Sequence, residues 1–167
     1  MIQLSSFHTF GFGGSRSGSP ACLAACTQFA AQVPAGAQVV TTCGRGAPAV
    51  IRAAFPAAQV HTAAQFTGIG RAAFAARAAA MVRSIAGSPS PLFVCFPGCP
   101  CPASLRPGRS WQSSGSGSWS ECAMCAGLGV PVLVFLPAAI QPPPGWGSWQ
   151  PAGTGWFLLS PSAPTLF

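Results

Sequence analysis

The chain contains no lysine, no aspartate and no tyrosine, and Glu121 is the one acidic residue among 167. Each absence removes chemistry. Without lysine there is no Walker-type phosphate lysine, no Schiff base and no Ser-Lys dyad, and without aspartate there is no aspartyl nucleophile. A single carboxylate excludes paired-carboxylate catalysis within one chain and a Mg²⁺ or Ca²⁺ cage built from several acids. The formal charge of +7 arises from eight arginines set against that one acid. It reflects missing acid rather than the dense basic run that marks a nucleic-acid groove. An enzyme made from this chain works with arginine, Glu121, two histidines, serine, threonine, cysteine and backbone N–H groups.

Long apolar runs are also lacking. The longest, residues 129–140, is interrupted by two prolines and falls short of the roughly 20 residues a spanning helix needs, so no membrane partner is expected. The opening MIQLSSFHTF has neither the basic nor the apolar region of a secretory leader. The eight cysteines are therefore expected to be reduced thiols in a cytoplasmic protein.

Half of the residues are apolar, enough for one core and one domain without disulfides. The segment through Phe7, Phe10 and Phe12 reads as a strand ending in the turn Gly13-Gly14-Ser15-Arg16-Ser17-Gly18. Ser19 as N-cap and Pro20 at the first helical position then open a helix to about Gln32. The alternation repeats: strand 37–42, turn 43–48, helix 49–55, strand 59–62. Residues 71–86 carry the clearest helical stripe, with Phe74, Ala78, Met81, Val82 and Ile85 on one face. Arg71 and Arg77 flank it, and Arg83 projects to the far side. The unbroken apolar runs 92–96 and 131–136 have the form of parallel strands covered on both faces. Between them lie a loop rich in Pro, Gly and Ser, 97–118, and a short helix, 119–128; residues 156–159 suit an edge strand.

This order predicts an α/β fold, a Rossmann-like, doubly wound, mostly parallel sheet of five to six strands with helices on both faces. Residues 1–137 would form the domain and residues 138–167, rich in Pro and Trp, an extension packed on it. Such sheets bind ligands beyond the carboxyl ends of their strands. Three Gly-rich turns gather there: Gly14-Ser15-Arg16, Gly44-Arg45-Gly46, and Gly115-Ser116-Gly117-Ser118. Glycine lets backbone approach a phosphate, and helix N-termini supply free N–H donors. Each turn alone is equally well read as a tight turn.

The first two turns resemble the SLOG superfamily, which includes DprA-like domains and the LOG phosphoribohydrolases. The helix with Arg77, the strand ending Phe96-Pro97-Gly98, and Gly115-Ser116-Gly117-Ser118-Trp119-Ser120-Glu121 are similar to the LOG order of an Arg-bearing helix, Pro-Gly-Gly and G-x-G-[ST]-x-x-E. The resemblance spans residues 12–137. It implies a nucleotide or nucleotide-derivative ligand, with Arg16, Arg45, Gly98 and the Gly-rich turns at phosphate. It also implies Arg77 and Glu121 as the pair that cleaves a nucleoside monophosphate at its N-glycosidic bond, and a homo-oligomer. Three departures stand out. Residues 99–114 separate motifs that are contiguous in LOG proteins, Cys99 replaces the second Gly, and Ala47-Pro48 stand where DprA-like members have Asp.

The residues themselves leave alternatives open. Glu121 in the first turn of a helix is also favourable with the helix dipole, by about 0.3 to 1 kcal/mol, and Arg77 could simply cover apolar surface. Cys122 and Cys125 have metal or redox spacing, yet they fall within a helix where cysteine serves as a small apolar residue, so no metal and no cofactor is assigned. His8 and His61 lack an acidic neighbour and read as structural. Beside the hydrolase stand a nucleic-acid-binding or nucleotide-sensing module of the DprA kind, and an assembly protein on a degenerate fold.

Overall fold

The computed structural model describes residues 2–67, 70–138 and 140–160. The chain opens with strand β1 (Thr9–Gly14), helix α1 (Pro20–Ala30), β2 (Gln38–Thr42), α2 (Ala47–Ala54) and β3 (Gln59–His61). It continues through α3 (Arg71–Ala86), β4 (Pro91–Phe96), α4 (Gly117–Gly127) and β5 (Val132–Phe135), and closes with β6 (Trp149–Gly153) and β7 (Trp156–Leu159). The strands form one sheet in the order β3-β2-β1-β4-β5-β7-β6. β1 to β5 are parallel, and β7 and β6 run antiparallel to their neighbours.

The sheet therefore has seven strands rather than the five to six expected, and it is mixed. The strand at Trp156–Leu159 is not the edge; it pairs with β5 on one side and β6 on the other. β6 escaped the sequence reading because it carries Pro151 and Gly153 and pairs irregularly between them. An edge strand tolerates a proline that a central one would not. The segment after residue 137 thus supplies two strands of the common sheet, and residues 161–167 of it lie outside the described residues.

Alternation along β1 divides the core in two. Phe10 and Phe12 face α1 and α2, and pack with Phe29, Ile51, Val94 and Phe96. Gly11 and Gly13 face α3 and α4, where Met81, Ile85, Phe93, Trp119 and Met124 form the second core. A side chain at Gly11 would overlap Ile85, so the bare strand face is what lets α3 lie close to the sheet. At the opening of α1, Ser19 Oγ accepts the Cys22 backbone N–H at 3.2 Å and Pro20 occupies the first helical position, where its missing N–H costs nothing.

Helix α4 is buried on every side from Ser118 to Cys125. The segment between β4 and α4 explains why, because it runs back along the outer face of α4. Gly108 N donates to Ala123 O at 3.1 Å, Ser120 Oγ to Gln112 O at 2.6 Å, and Trp119 Nε1 to Cys99 O at 2.7 Å. Leu105 is buried beneath Trp146, whose Nε1 donates to the Leu105 carbonyl at 2.9 Å. Gly127 meets the Gly108 backbone so closely that a Cβ there would overlap it.

Gly127 is the last residue of α4, where replacing Gly by Ala gains less than the roughly 1 kcal/mol of a helix interior. In Gly127→Ala the overlap with Gly108 should outweigh that gain, for a net loss of about 1 to 3 kcal/mol. A lower urea midpoint with unchanged m-value is the expected result, and an unchanged or higher midpoint would mean that the loop does not press on α4.

Candidate functional site

The chain passes outward from β1 through β2 to β3 and then returns to β4 on the other side of β1. Connections leave β1 and β4 in opposite directions, so the switch point, where sheets of this order form a crevice, lies beyond their carboxyl ends. The turn after β1 lies in it: Ser15 N donates to Phe96 O at 3.0 Å, and Gly14 leaves no room for a side chain against Ala47 and Phe96. Gly98, just past β4, comes within 2.7 Å of Ser15 Oγ at the point where a Cβ would stand. Gly46 has φ +67°, and a Cβ there would overlap the Ser15 carbonyl oxygen. Both its backbone angle and its contact demand glycine.

Sequence-assigned residues from three separate turns, Gly14, Ser15, Arg16, Gly46 and Gly98, are thereby brought together. Gly44 is buried and its turn is braced by Arg52, whose Nη1 donates to the carbonyls of Thr42 at 2.5 Å and Gly44 at 2.8 Å. Arg45 is exposed beside it. Gly115 and Gly117 are exposed with open space in front of them. Ser118 is buried, and its hydroxyl belongs to a polar chain: Cys99 Sγ donates to Ser116 Oγ at 3.6 Å, and the Ser116 and Ser118 hydroxyls lie 3.3 Å apart.

Glu121 forms the floor. Helix α4 begins at Gly117, so Glu121 lies in its second turn, and no acid occupies the first. That corrects the dipole reading, since the effect fades beyond the first turn. The side chain is 6 % exposed and rests on Gly13, where any Cβ would overlap Oε2. Oε2 has no hydrogen-bond partner. Burial pushes the carboxyl up to about 8 from an ordinary 4.5, against the opposing pull of the Arg77 charge. A buried carboxyl with an unpartnered oxygen costs folding free energy, and such costs concentrate where chemistry is done.

Above the floor stands Arg77 of α3. Its Nη1 donates to Cys43 Sγ at 3.4 Å, and its Nε is buried without a partner. Phe74, one turn earlier, was expected on the apolar stripe, and the structure corrects this. Ala78, Met81, Val82 and Ile85 are buried, whereas Phe74 is 43 % exposed at the crevice mouth. Its ring gathers two cations, with Arg77 Cζ 5.2 Å and Arg16 Cζ 5.9 Å from the centroid. Arrangements of this kind are worth about 0.5 to 1 kcal/mol at exposed sites.

Sequence reasoning missed Cys43, Phe74 and Arg52. For Cys43 a signal existed in its place as the residue between β2 and Gly44; for the other two, nothing local distinguished them from packing or solvated residues. His8 precedes β1, at the opposite end of the sheet from the crevice, and His61 lies beside Gln59 with its ring nitrogen 3.3 Å from the amide. Burial lowers the His61 value. Cys122 and Cys125 are buried free thiols whose values burial raises, as packing residues would show.

The unfolded chain releases the Glu121 proton near 4.5 and the folded protein holds it to about 8. Stability attributable to this group is therefore highest below that window and declines as pH rises through it. Relative to Glu121→Gln, which stays neutral, the wild type should lose up to roughly 1.4 kcal/mol per pH unit across the window. Denaturant melts of both proteins across this range check it, and a constant difference would mean that the carboxyl ionises as an exposed one does. No family model, no curated protein and no solved structure matches this chain.

Proposed function

We propose that the crevice binds a nucleoside monophosphate and that Glu121 drives cleavage of its N-glycosidic bond. The observation that carries this reading is the buried carboxyl of Glu121 on Gly13, its Oε2 without a hydrogen-bond partner, beside an arginine whose Nε is unpartnered. The order of the five parallel strands, β3-β2-β1-β4-β5, supports it. That order is shared with the Rossmann-like nucleotide-binding sheets, which hold ligands where the strand order reverses. The resemblance of the Gly-rich turns to SLOG domains points the same way.

In this reading Arg16 and Arg45 take the phosphate from adjacent turns, while Arg77 reaches the ribose. Phe74 holds Arg16 and Arg77 at one spacing, so that binding spends less entropy ordering two long side chains. With its value near 8, Glu121 carries a proton at neutral pH and donates it to the leaving base nitrogen as the C1′–N bond breaks; the bond pair departs with the base. The resulting carboxylate faces the positive charge developing on the sugar. It then accepts a proton from the water that adds to C1′, yielding ribose 5-phosphate and restoring the acid.

Nucleoside monophosphates are incubated with the protein and free base is measured. Wild type should release base and Glu121→Gln should be slower by about 10²-fold or more. kcat/KM should fall as pH rises through about 8, because the free enzyme then loses its acid. Phe74→Leu should raise KM several-fold with kcat little changed, a loss of uniform binding. Base release no faster than in Glu121→Gln, for every nucleotide tried, overturns the proposal.

A further inference from the structure

The surroundings of the eight cysteines, all free, sort them by access. Cys22, Cys26, Cys95, Cys122 and Cys125 are buried. Cys101 is half-buried, and burial pushes its thiol up to about 11. Cys99 is exposed, but its Sγ donates to Ser116 Oγ at 3.6 Å and has no cationic partner among the hydrogen bonds of the described residues. Cys43 is exposed and stands in the opposite role, because Arg77 Nη1 donates to its sulfur at 3.4 Å. Burial raises the Cys43 thiol, yet the neighbouring Ala63 backbone and the bond to and charge of Arg77 outweigh it, leaving the thiol below its ordinary value.

Cys43 is also not an isolated sulfur. The guanidinium it touches acts electrostatically on Glu121, which is 6 % exposed with Oε2 unpartnered. A free polar atom built into the floor of the same crevice is an independent sign that small molecules are received there. We propose that Cys43 is a modification site, an accessible sulfur held against the Arg77 guanidinium at the crevice mouth, which reacts with hydrogen peroxide and small carbon electrophiles ahead of every other cysteine in the chain.

With peroxide, the thiolate sulfur attacks one oxygen, the O–O bond breaks, and the departing hydroxide takes up a proton to become water. The sulfur is oxidised by two electrons to the sulfenic acid as the peroxide is reduced, and an external thiol reverses the change. The added oxygen lies beside Arg77, where it competes with an anionic ligand. This last consequence rests on the nucleotide reading; the reactivity does not.

The full chain is treated with limiting N-ethylmaleimide and its peptides are mapped by mass spectrometry. Cys43 should be labelled first, about 10-fold ahead of Cys99, and Arg77→Gln should slow Cys43 by a similar factor while leaving Cys99 unchanged. Peroxide followed by dimedone should tag the same residue. Should Arg77→Gln unfold, its buried cysteines would label together, and the wild-type order of Cys43 and Cys99 then decides alone. Cys99 labelled as fast as Cys43, or a Cys43 rate indifferent to a folded Arg77→Gln, overturns the proposal. Protection of Cys43 by adenosine monophosphate supports both readings, whereas fast labelling without protection supports the modification site and counts against the nucleotide.

Discussion

Two missing side chains on β1 govern the rest of the architecture. At Gly11 the bare backbone admits Ile85, which seats α3, and at Gly13 it admits the carboxyl of Glu121, which seats α4. The opposite face of the same strand carries Phe10 and Phe12, and these anchor α1 and α2 in an aromatic cluster with Phe29. One strand therefore sets a thick apolar layer on one side and a thin, closely approached layer on the other. Glu121 reaches the crevice from the thin side, where a helix can bring an acid down to the strand backbone.

The charge inventory takes on meaning from this placement. The chain keeps a single acidic side chain and withdraws it from water, so among the described residues its arginines find no surface carboxylate side chain to neutralise them. Several turn to other acceptors. Arg52 bonds two backbone carbonyls, Arg106 those of Ala103 and Leu105, and Arg16 and Arg77 meet the face of Phe74. Guanidinium suits such partners better than an ammonium, being planar and less strongly hydrated. Complete use of arginine over lysine fits a protein that must satisfy its cations on carbonyls, a sulfur and a ring.

Much of the fold could be read from residue order, because the decisive signals were local. Ser19-Pro20 marks the start of α1, the apolar runs mark β4 and β5, and the stripe ending in Ile85 marks α3. β6 could not be read, since Pro151 and Gly153 erase any strand period and only the pairing with β7 defines it. Phe74 was misplaced because helical periodicity reports which residues share a face and not where the sheet beneath that face ends. The convergence of Gly14, Gly46 and Gly98 followed from the rule that parallel strands point their carboxyl ends one way. The contact of Arg77 with Cys43, by contrast, joins residues 34 apart in sequence and depends on the rotation of α3, which no local pattern encodes.

The strap over α4 bears on the order of assembly. Leu105 lies upstream of the helix and Trp146 downstream, and they close over it through a bond between residues 41 apart. A growing chain that has reached only β5 has made α4 and the segment along its outer face but not Trp146, and Trp119 then lacks the ring that meets it edge-on at 5.7 Å. The wall over Trp119 is closed only when the segment around Trp146 arrives, so it is among the last features of the core to form, whereas Gly13, on which Glu121 rests, is laid down with the first strand.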